Sequence, residues 1–293
     1  MKHIFIINRF SLRERLNNYT EIIKKSAEKL KLDYKIEINS DEVSTEDILE
    51  NYKKKSCIIY AVGGDGILNR VVNGVYGTKN KVACIPAGTG NDFNRSINEF
   101  FKDGDNLVDV IKCNDKYFVN VACFGVDADI ANDESVVHNK FIPRSLQYKV
   151  GVVKHILTFK PYDFKMKWDK KSITNKVALV TVCNGGYYGG GFHINPKGVY
   201  NDGQMDIFIS YASNRRELVK YLIKLLKGKH QEYDQVEYVR TDKFTLITRN
   251  EIDGNLDGES LKNTIFEMSV LPKAMTFYNN KKLIKTINSE LGK

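Results

Sequence analysis

Two short apolar runs constrain the fold more than anything else in this chain. Cys57–Val62 and Lys81–Ile85 are almost free of polar breaks, the pattern of strands buried on both faces. Each run leads straight into a glycine-rich turn. Helical spacing follows the first turn, with Ile67, Leu68, Val71, Val72 and Val75 within Ile67–Tyr76. A strand covered on both faces needs helices above and below it, which implies a mostly parallel sheet in an α/β domain. In such sheets ligands sit outside the carboxyl ends of the strands. Both glycine turns fall there.

The flanking segments fit the same architecture. Lys2–Asn8 and Tyr34–Ile38 are expected strands. Leu12–Leu32 carries Leu16, Tyr19, Ile23, Ala27 and Leu30 at helical spacing, and Ser44–Tyr52 opens on helix-capping chemistry. Strands at Leu107–Lys112 and Tyr117–Phe124 follow, then helices within Asp129–Phe159. Beyond these the character changes. Tyr162–Trp168, Val177–Asn184, Met205–Tyr211, Val236–Ile247 and Thr264–Leu271 are predicted strands bounded by Gly and Asp clusters, as in a β-sandwich. One helix, Arg215–Lys227, interrupts them, and a helical tail is expected at Asn280–Leu291. With about 150 residues per domain, 293 residues suggest two domains. The boundary is placed near residue 126. The fold class is therefore α/β plus β: an N-terminal α/β domain and a second, β-sandwich domain.

Composition narrows the compartment and the partners. The 45 basic and 36 acidic residues leave a net charge of +9, which favours an anionic partner without choosing among phosphates, nucleic acid and an acidic membrane. No recognised nucleic-acid module is present. No window approaches the roughly 18 apolar residues of a membrane-spanning helix. The opening MKHIFIINRF meets Asn8 and Arg9 too soon for a signal-peptide core. Five widely spaced cysteines form no CxxC pair, and buried, inert thiols in a reducing compartment are expected. A cytoplasmic location is expected.

Four segments carry candidate chemistry. Gly63-Gly64-Asp65-Gly66 lets the backbone turn tightly against a phosphate, with the next helix aiming its positive end at it. Asp65 would reach a magnesium ion, or would simply cap the helix. Pro86–Phe93 (PAGTGNDF) adds Thr89 as a donor and Asp92 as a carboxylate, or forms a capping box from Thr89 to Asp92. Two such loops on consecutive strands favour the phosphate reading over the structural one. Asn184–Gly203 holds five glycines in seven positions, Gly185–Gly191, and marks either a wide loop or a close backbone approach. Asp257-Gly258-Glu259 is a hairpin signal, or a turn that presents a carboxylate to the phosphate site.

Together these segments resemble the diacylglycerol kinase catalytic-domain family, the bacterial soluble lipid kinases related to sphingosine and ceramide kinases and, more distantly, to NAD kinases and phosphofructokinases. The family's GGDGT motif corresponds to Gly63–Ile67, its P-x-GTGNDF motif to Pro86–Phe93, its NG…GGG…P…DG segment to Asn184–Gly203 and its DGE motif to Asp257–Glu259. The resemblance implies a phosphofructokinase-like α/β domain over 1–126, completed by a returning tail at 279–293, and a lipid-substrate β-sandwich over 127–278. It implies ATP and Mg2+ as cofactors, with Asn8, Gly63, Gly64, Gly66, Gly88, Thr89 and Asn91 binding nucleotide. Asp65 and Asp92 would organise the metal and the reacting groups. Glu259 would be the general base, with Asp65 as the alternative. A further metal position is implied at Asp202.

The expected reaction moves the γ-phosphoryl group of ATP to a lipid hydroxyl, diacylglycerol giving phosphatidic acid. An NAD-kinase-type enzyme and a catalytically weak nucleotide- or lipid-binding regulator are the alternatives. The sequence departs from the family pattern twice. Ile67 stands where the family carries Thr, and Asn8 and Ser11 match a first-loop NPxSG pattern whose Pro and Gly are absent. Lys154–Lys171 interleaves six lysines with Phe159, Tyr162, Phe164 and Trp168, which suggests peripheral contact with an anionic membrane surface. Family members are often dimers, so a homodimer is an expected assembly.

Overall fold

The computed structural model describes residues 1–88, 90–133, 135 and 144–292, side chains of 144–149 apart. The chain divides into two compact units, Met1–Val108 with Lys273–Lys293, and Asp109–Pro272.

In the first unit β1 (Lys2–Ile7), β2 (Tyr34–Ile38), β3 (Cys57–Gly63) and β4 (Lys81–Pro86) form a parallel sheet in the order β2-β1-β3-β4. Phe277, from the chain's last strand, pairs in parallel with Val82 of β4. The helices are α1 (Arg9–Leu12), α2 (Leu16–Lys29), α3 (Thr45–Glu50), α4 (Asp65–Val75) and α5 (Asp92–Phe100). Sequence periodicity suggested a single helix from Leu12 to Leu32. It is broken because Arg13 takes a left-handed φ of 48°, which a continuing helix cannot accommodate; a single 3-10 turn, Arg13–Arg15, separates α1 from α2. The apolar strands are buried on both faces as their composition requires. Phe5, Ile7, Ile58, Tyr60 and Val62 pack with Tyr19, Ile22 and Ile23 of α2 and with Leu283 and Ile287 near the C-terminus. The alternate residues Ile4, Ile6, Ile59 and Ala61 are equally buried. The chain runs from β1 to β2 on one side and then returns to place β3 on the other. The carboxyl ends of β1 and β3 therefore flank a topological switch point, where the connecting loops diverge and leave a crevice.

The second unit is largely antiparallel. Its elements are β5 (Gly104–Cys113), β6 (Lys116–Phe118), β7 (Val121–Gly125), α6 (Val126–Asn132), α7 (Arg144–Thr158), β8 (Tyr162–Trp168), β9 (Lys171–Val177), β10 (Leu179–Cys183), β11 (Tyr187–Tyr188), β12 (Phe192–His193), β13 (Met205–Ser210), α8 (Arg215–Leu226), β14 (Val236–Thr241), β15 (Lys243–Leu256) and β16 (Glu259–Asn279), whose end enters the first unit before α9 (Lys281–Glu290). The main order is β14-β13-β10-β7-β15-β16. A register shift between Ile247 and Ile252 lets β15 pair β8 through Phe244–Thr248 and β7 through Gly254–Leu256. A strand bent in this way can serve two layers, and the fold is β-sandwich-like. Its core holds Phe124, Phe164, Trp168, Phe244 and Phe266.

As compact units the two halves part at Val108/Asp109 and the returning segment starts at Lys273, against the expected domain boundary near residue 126 and return at 279. The reason is pairing that sequence does not announce. Ile111–Cys113 pair with Lys116–Phe118, and the Asp109 amide donates to the Tyr200 carbonyl at 2.6 Å. The apolar runs after residue 108 resemble those before it but belong to the second unit.

Candidate active site

Three loops meet at the carboxyl ends of β1, β3 and β4. Asn8 ends β1, caps α1 by accepting from the Phe10 amide at 3.1 Å, and donates its own amide to the Val62 carbonyl. A Cβ on Gly63 would lie 3.3 Å from Asn8 Cβ, 3.2 Å from Ser11 Oγ and 2.7 Å from Ile67 Cγ2. A Cβ on Gly88 would lie 2.5 Å from Gly64 Cα and 2.9 Å from its nitrogen. Only glycine lets the two loops approach backbone to backbone. Asn91 fastens the second loop: its Oδ1 accepts from the Gly88 amide at 3.0 Å and its Nδ2 donates to the Gly88 carbonyl at 2.8 Å, with a left-handed φ of 54°. Thr89 lies outside the described residues.

Asp65 joins these loops. It opens α4, yet its carboxylate accepts from the Asp92 and Phe93 amides at the start of α5, both at 3.3 Å. It thus stands between two helix N-termini, and its capping partner is α5, a contact its position in sequence does not reveal. Burial pushes its carboxyl above the usual range, while the amides it accepts pull the other way. Asp92 is 6% exposed with Arg95 at 3.7 Å. Gly64, the N-cap of α4, offers no side-chain bond to its first turn, which leaves that positive end suited to an anion. Arg15, which sequence reasoning missed, donates from Nη2 to the Ala87 carbonyl at 3.0 Å and so places a cation beside the second loop. No spacing rule would have found it.

These groups fit a polyphosphate with a magnesium ion. Mg2+ usually keeps waters and phosphate oxygens and takes only one or two protein carboxylates. Asp65 and Asp92 are the pair available, and among the described residues no group of three or more His, Cys, Asp or Glu side chains is arranged to hold a metal.

The remaining expected residues lie in the second unit. The Asp-Gly turn is a hairpin, with Asp257 at φ 50° and Gly258 at φ 93° linking β15 to β16. The carboxylate of Asp257 is engaged within its own unit. It is buried, and it accepts from the Val119, Asn120 and Val121 amides at 2.8–3.1 Å. Glu259, at the start of β16, is half-buried. Asp202 accepts from the Gln204 amide at 3.0 Å, and its other oxygen is engaged by Arg240. The glycine-rich stretch is a close approach: a Cβ on Gly185 would come 2.0 Å from Asn120 Oδ1.

Comparisons with known families divide the chain near residue 120. Residues 2–120 match the diacylglycerol kinase catalytic domain, and residues 120–279 match the YegS C-terminal NAD kinase beta sandwich-like domain. The chain belongs to the YegS-like diacylglycerol kinase family. A diacylglycerol kinase of Bacillus subtilis is 26% identical over 222 residues, 69% of this chain and 71% of that one. A Shewanella frigidimarina protein named "Probable lipid kinase YegS-like" is 29% identical over 234 residues, 73% and 74% of the two chains. The crystal structure of a diacylglycerol kinase from Bacillus anthracis superposes with a TM-score of 0.70 at 22% identity, covering 96% of this chain and 98% of that one. It shares the fold.

Within this YegS-like framework two sequence features resolve. Ile67 is 2% exposed and packs under Gly63, so the residue that departs from the family's Thr is part of the core. The aromatic residues of the lysine-rich stretch are not an interfacial belt. Phe159, Phe164 and Trp168 are buried and the Tyr162 hydroxyl donates to Asp129. Strand alternation turns Phe164, Met166 and Trp168 inward and leaves Asp163, Lys165 and Lys167 outside. Among the described residues no helix is long and apolar enough to cross a membrane.

Proposed function

We propose that this chain is an ATP-dependent lipid kinase that transfers the γ-phosphoryl group to a lipid hydroxyl, with diacylglycerol, giving phosphatidic acid, as the acceptor. The observation that carries the reading is the backbone contact of the Gly63–Gly66 and Gly88–Asn91 loops at the switch point of a parallel sheet, with Asp65 joining them. Phosphoryl transfer asks a protein mainly for positioning and charge neutralisation. In this reading Asn8, Gly63, Gly64, Gly66, Gly88, Thr89 and Asn91 hold the nucleotide. Asp65 and Asp92 hold Mg2+, which when bound neutralises charge on the phosphate oxygens. Glu259 takes the proton of the acceptor hydroxyl. The names of the relatives support the lipid acceptor, and a lipid acceptor brings the protein to a bilayer surface.

The test is transfer from radiolabelled ATP to a panel of diacylglycerol, ceramide, undecaprenol and NAD. Labelled phosphatidic acid is expected. Label on NAD alone would replace the reading with an NAD-kinase-type enzyme. Saturable ATP binding with no transfer to any acceptor would make the protein a binding regulator.

A further inference from the structure

The helix α8 has two apolar faces. Leu218, Tyr221 and Leu225 are buried in the cluster that covers the second unit's sheet. A helix packed on one side needs a single such stripe. Yet Val219, Ile223 and Leu226 form a second stripe at i, i+4 and i+7, with Ile223 46% and Leu226 68% exposed. The neighbouring α7 packs against α8 and also exposes Val153 and Leu157. Arg216, Lys220 and Lys227 are exposed on α8 and just beyond its end, on the side of the second stripe away from the buried face. Among the described residues none of these three, nor Lys224, has an ion-pair partner. The one acid of the helix, Glu217, is held by the Ser213 amide and hydroxyl at 2.8 and 2.9 Å.

We propose that this face of α8 docks the protein on an anionic bilayer, the apolar stripe entering the headgroup boundary and the flanking cations meeting lipid phosphates. Apolar residues beside a row of lysines and arginines match the two parts of such a surface. A second copy of the chain matches it poorly, because a two-fold contact sets a patch against itself and would bring the cation rows together. The proposal rests on the lipid-kinase reading for its purpose and locates where that enzyme would meet its substrate. It also moves the membrane face from the strand lysines to a helix.

The experiment is co-sedimentation of the full chain with vesicles of phosphatidylglycerol and phosphatidylcholine, alongside turnover of diacylglycerol in detergent micelles. Ile223→Asp with Leu226→Asp should weaken vesicle binding by about ten-fold or more. Arg216→Gln, Lys220→Gln and Lys227→Gln together should flatten its salt dependence. All these positions are at the surface, so melting temperature and micelle turnover should match the parent. Vesicle binding by the apolar variant equal to the parent's overturns the docking face. So does a parent dimer that the apolar variant disperses while vesicle binding persists, since the stripe would then belong to a second copy. A parent that ignores vesicles refutes the docking whatever the micelle assay shows. A parent that binds vesicles through α8 but phosphorylates nothing in micelles upholds the docking and removes the kinase reading.

Discussion

Asp65 ties the two glycine loops together, and in the proposed reaction it would also help to hold the metal. Its carboxylate spans two loops by accepting the Asp92 and Phe93 amides, and burial raises its carboxyl above the usual range. Asp65→Asn keeps the size but sets an NH2 group against one of those amides and removes the charge. With the charge absent, turnover should fall by about a thousand-fold, the scale of losing a preorganised electrostatic group. A circular-dichroism melt should show a modest loss of stability alongside the kinetic loss. Activity within a few-fold of the parent would make Asp65 a helix cap and nothing more. Its place at a strand's carboxyl end was legible in sequence, because GGDG follows a buried strand. Its bonding was not, because the amides it accepts lie on the next loop. Asp257 teaches the same lesson in reverse: the turn was readable, but the direction of its carboxylate depends on residues 119–121, far away in sequence.

At the scale of elements, periodicity located most strands and helices to within a few residues. It failed where tertiary pairing decides. Val236–Ile247 looked like one strand but is β14 and β15, split at Asp242. Nothing in composition showed that β5 to β7 join the second unit. The turn from β7 into α6 also hides a titration. Asp127, in the first turn of α6, is fully buried and accepts from the Tyr188 hydroxyl at 2.9 Å. Burial raises its carboxyl to about 6, with the tyrosine opposing and Asp129 adding to the rise. The folded state therefore holds this proton more tightly than the unfolded chain. As pH rises from about 4 to about 6, the unfolded chain releases its proton first, and stability falls. Asp127→Asn keeps an acceptor for Tyr188 without the buried charge. It should stabilise the protein at pH 7 by up to about 3 kcal/mol, and the gain should shrink towards pH 4.5. Chemical denaturation at the two pH values checks this; a gain that is equal at both would show that the carboxyl is ionised throughout.

The whole molecule is threaded so that its ends depend on each other. The chain leaves the first unit at Val108 and returns at Lys273. The returning segment supplies core, not decoration. Phe277 packs against Phe93 and Phe101 with ring centroids 4.9 and 6.1 Å away, and Leu283 and Ile287 of α9 are at most 1% exposed beside α2. Truncating one large buried side chain typically costs about 2–5 kcal/mol, and a whole domain is stable by only about 5–15 kcal/mol. Losing all three should therefore exhaust the stability of the first unit. The second unit is continuous from Asp109 to Pro272 and loses nothing from its own core. A chain ending at Pro272 should accordingly keep slow amide exchange in β7, β10 and β13 while exchange in β1 and β3 becomes fast, and it should not bind ATP. Joining residues 1–108 to 273–293 through a flexible linker should restore protection to β1 and β3 without the second unit present. Native protection of β1 and β3 in the truncated chain would mean that the first sheet is complete without its last strand and helix, and that the return of the chain serves some purpose other than building that core.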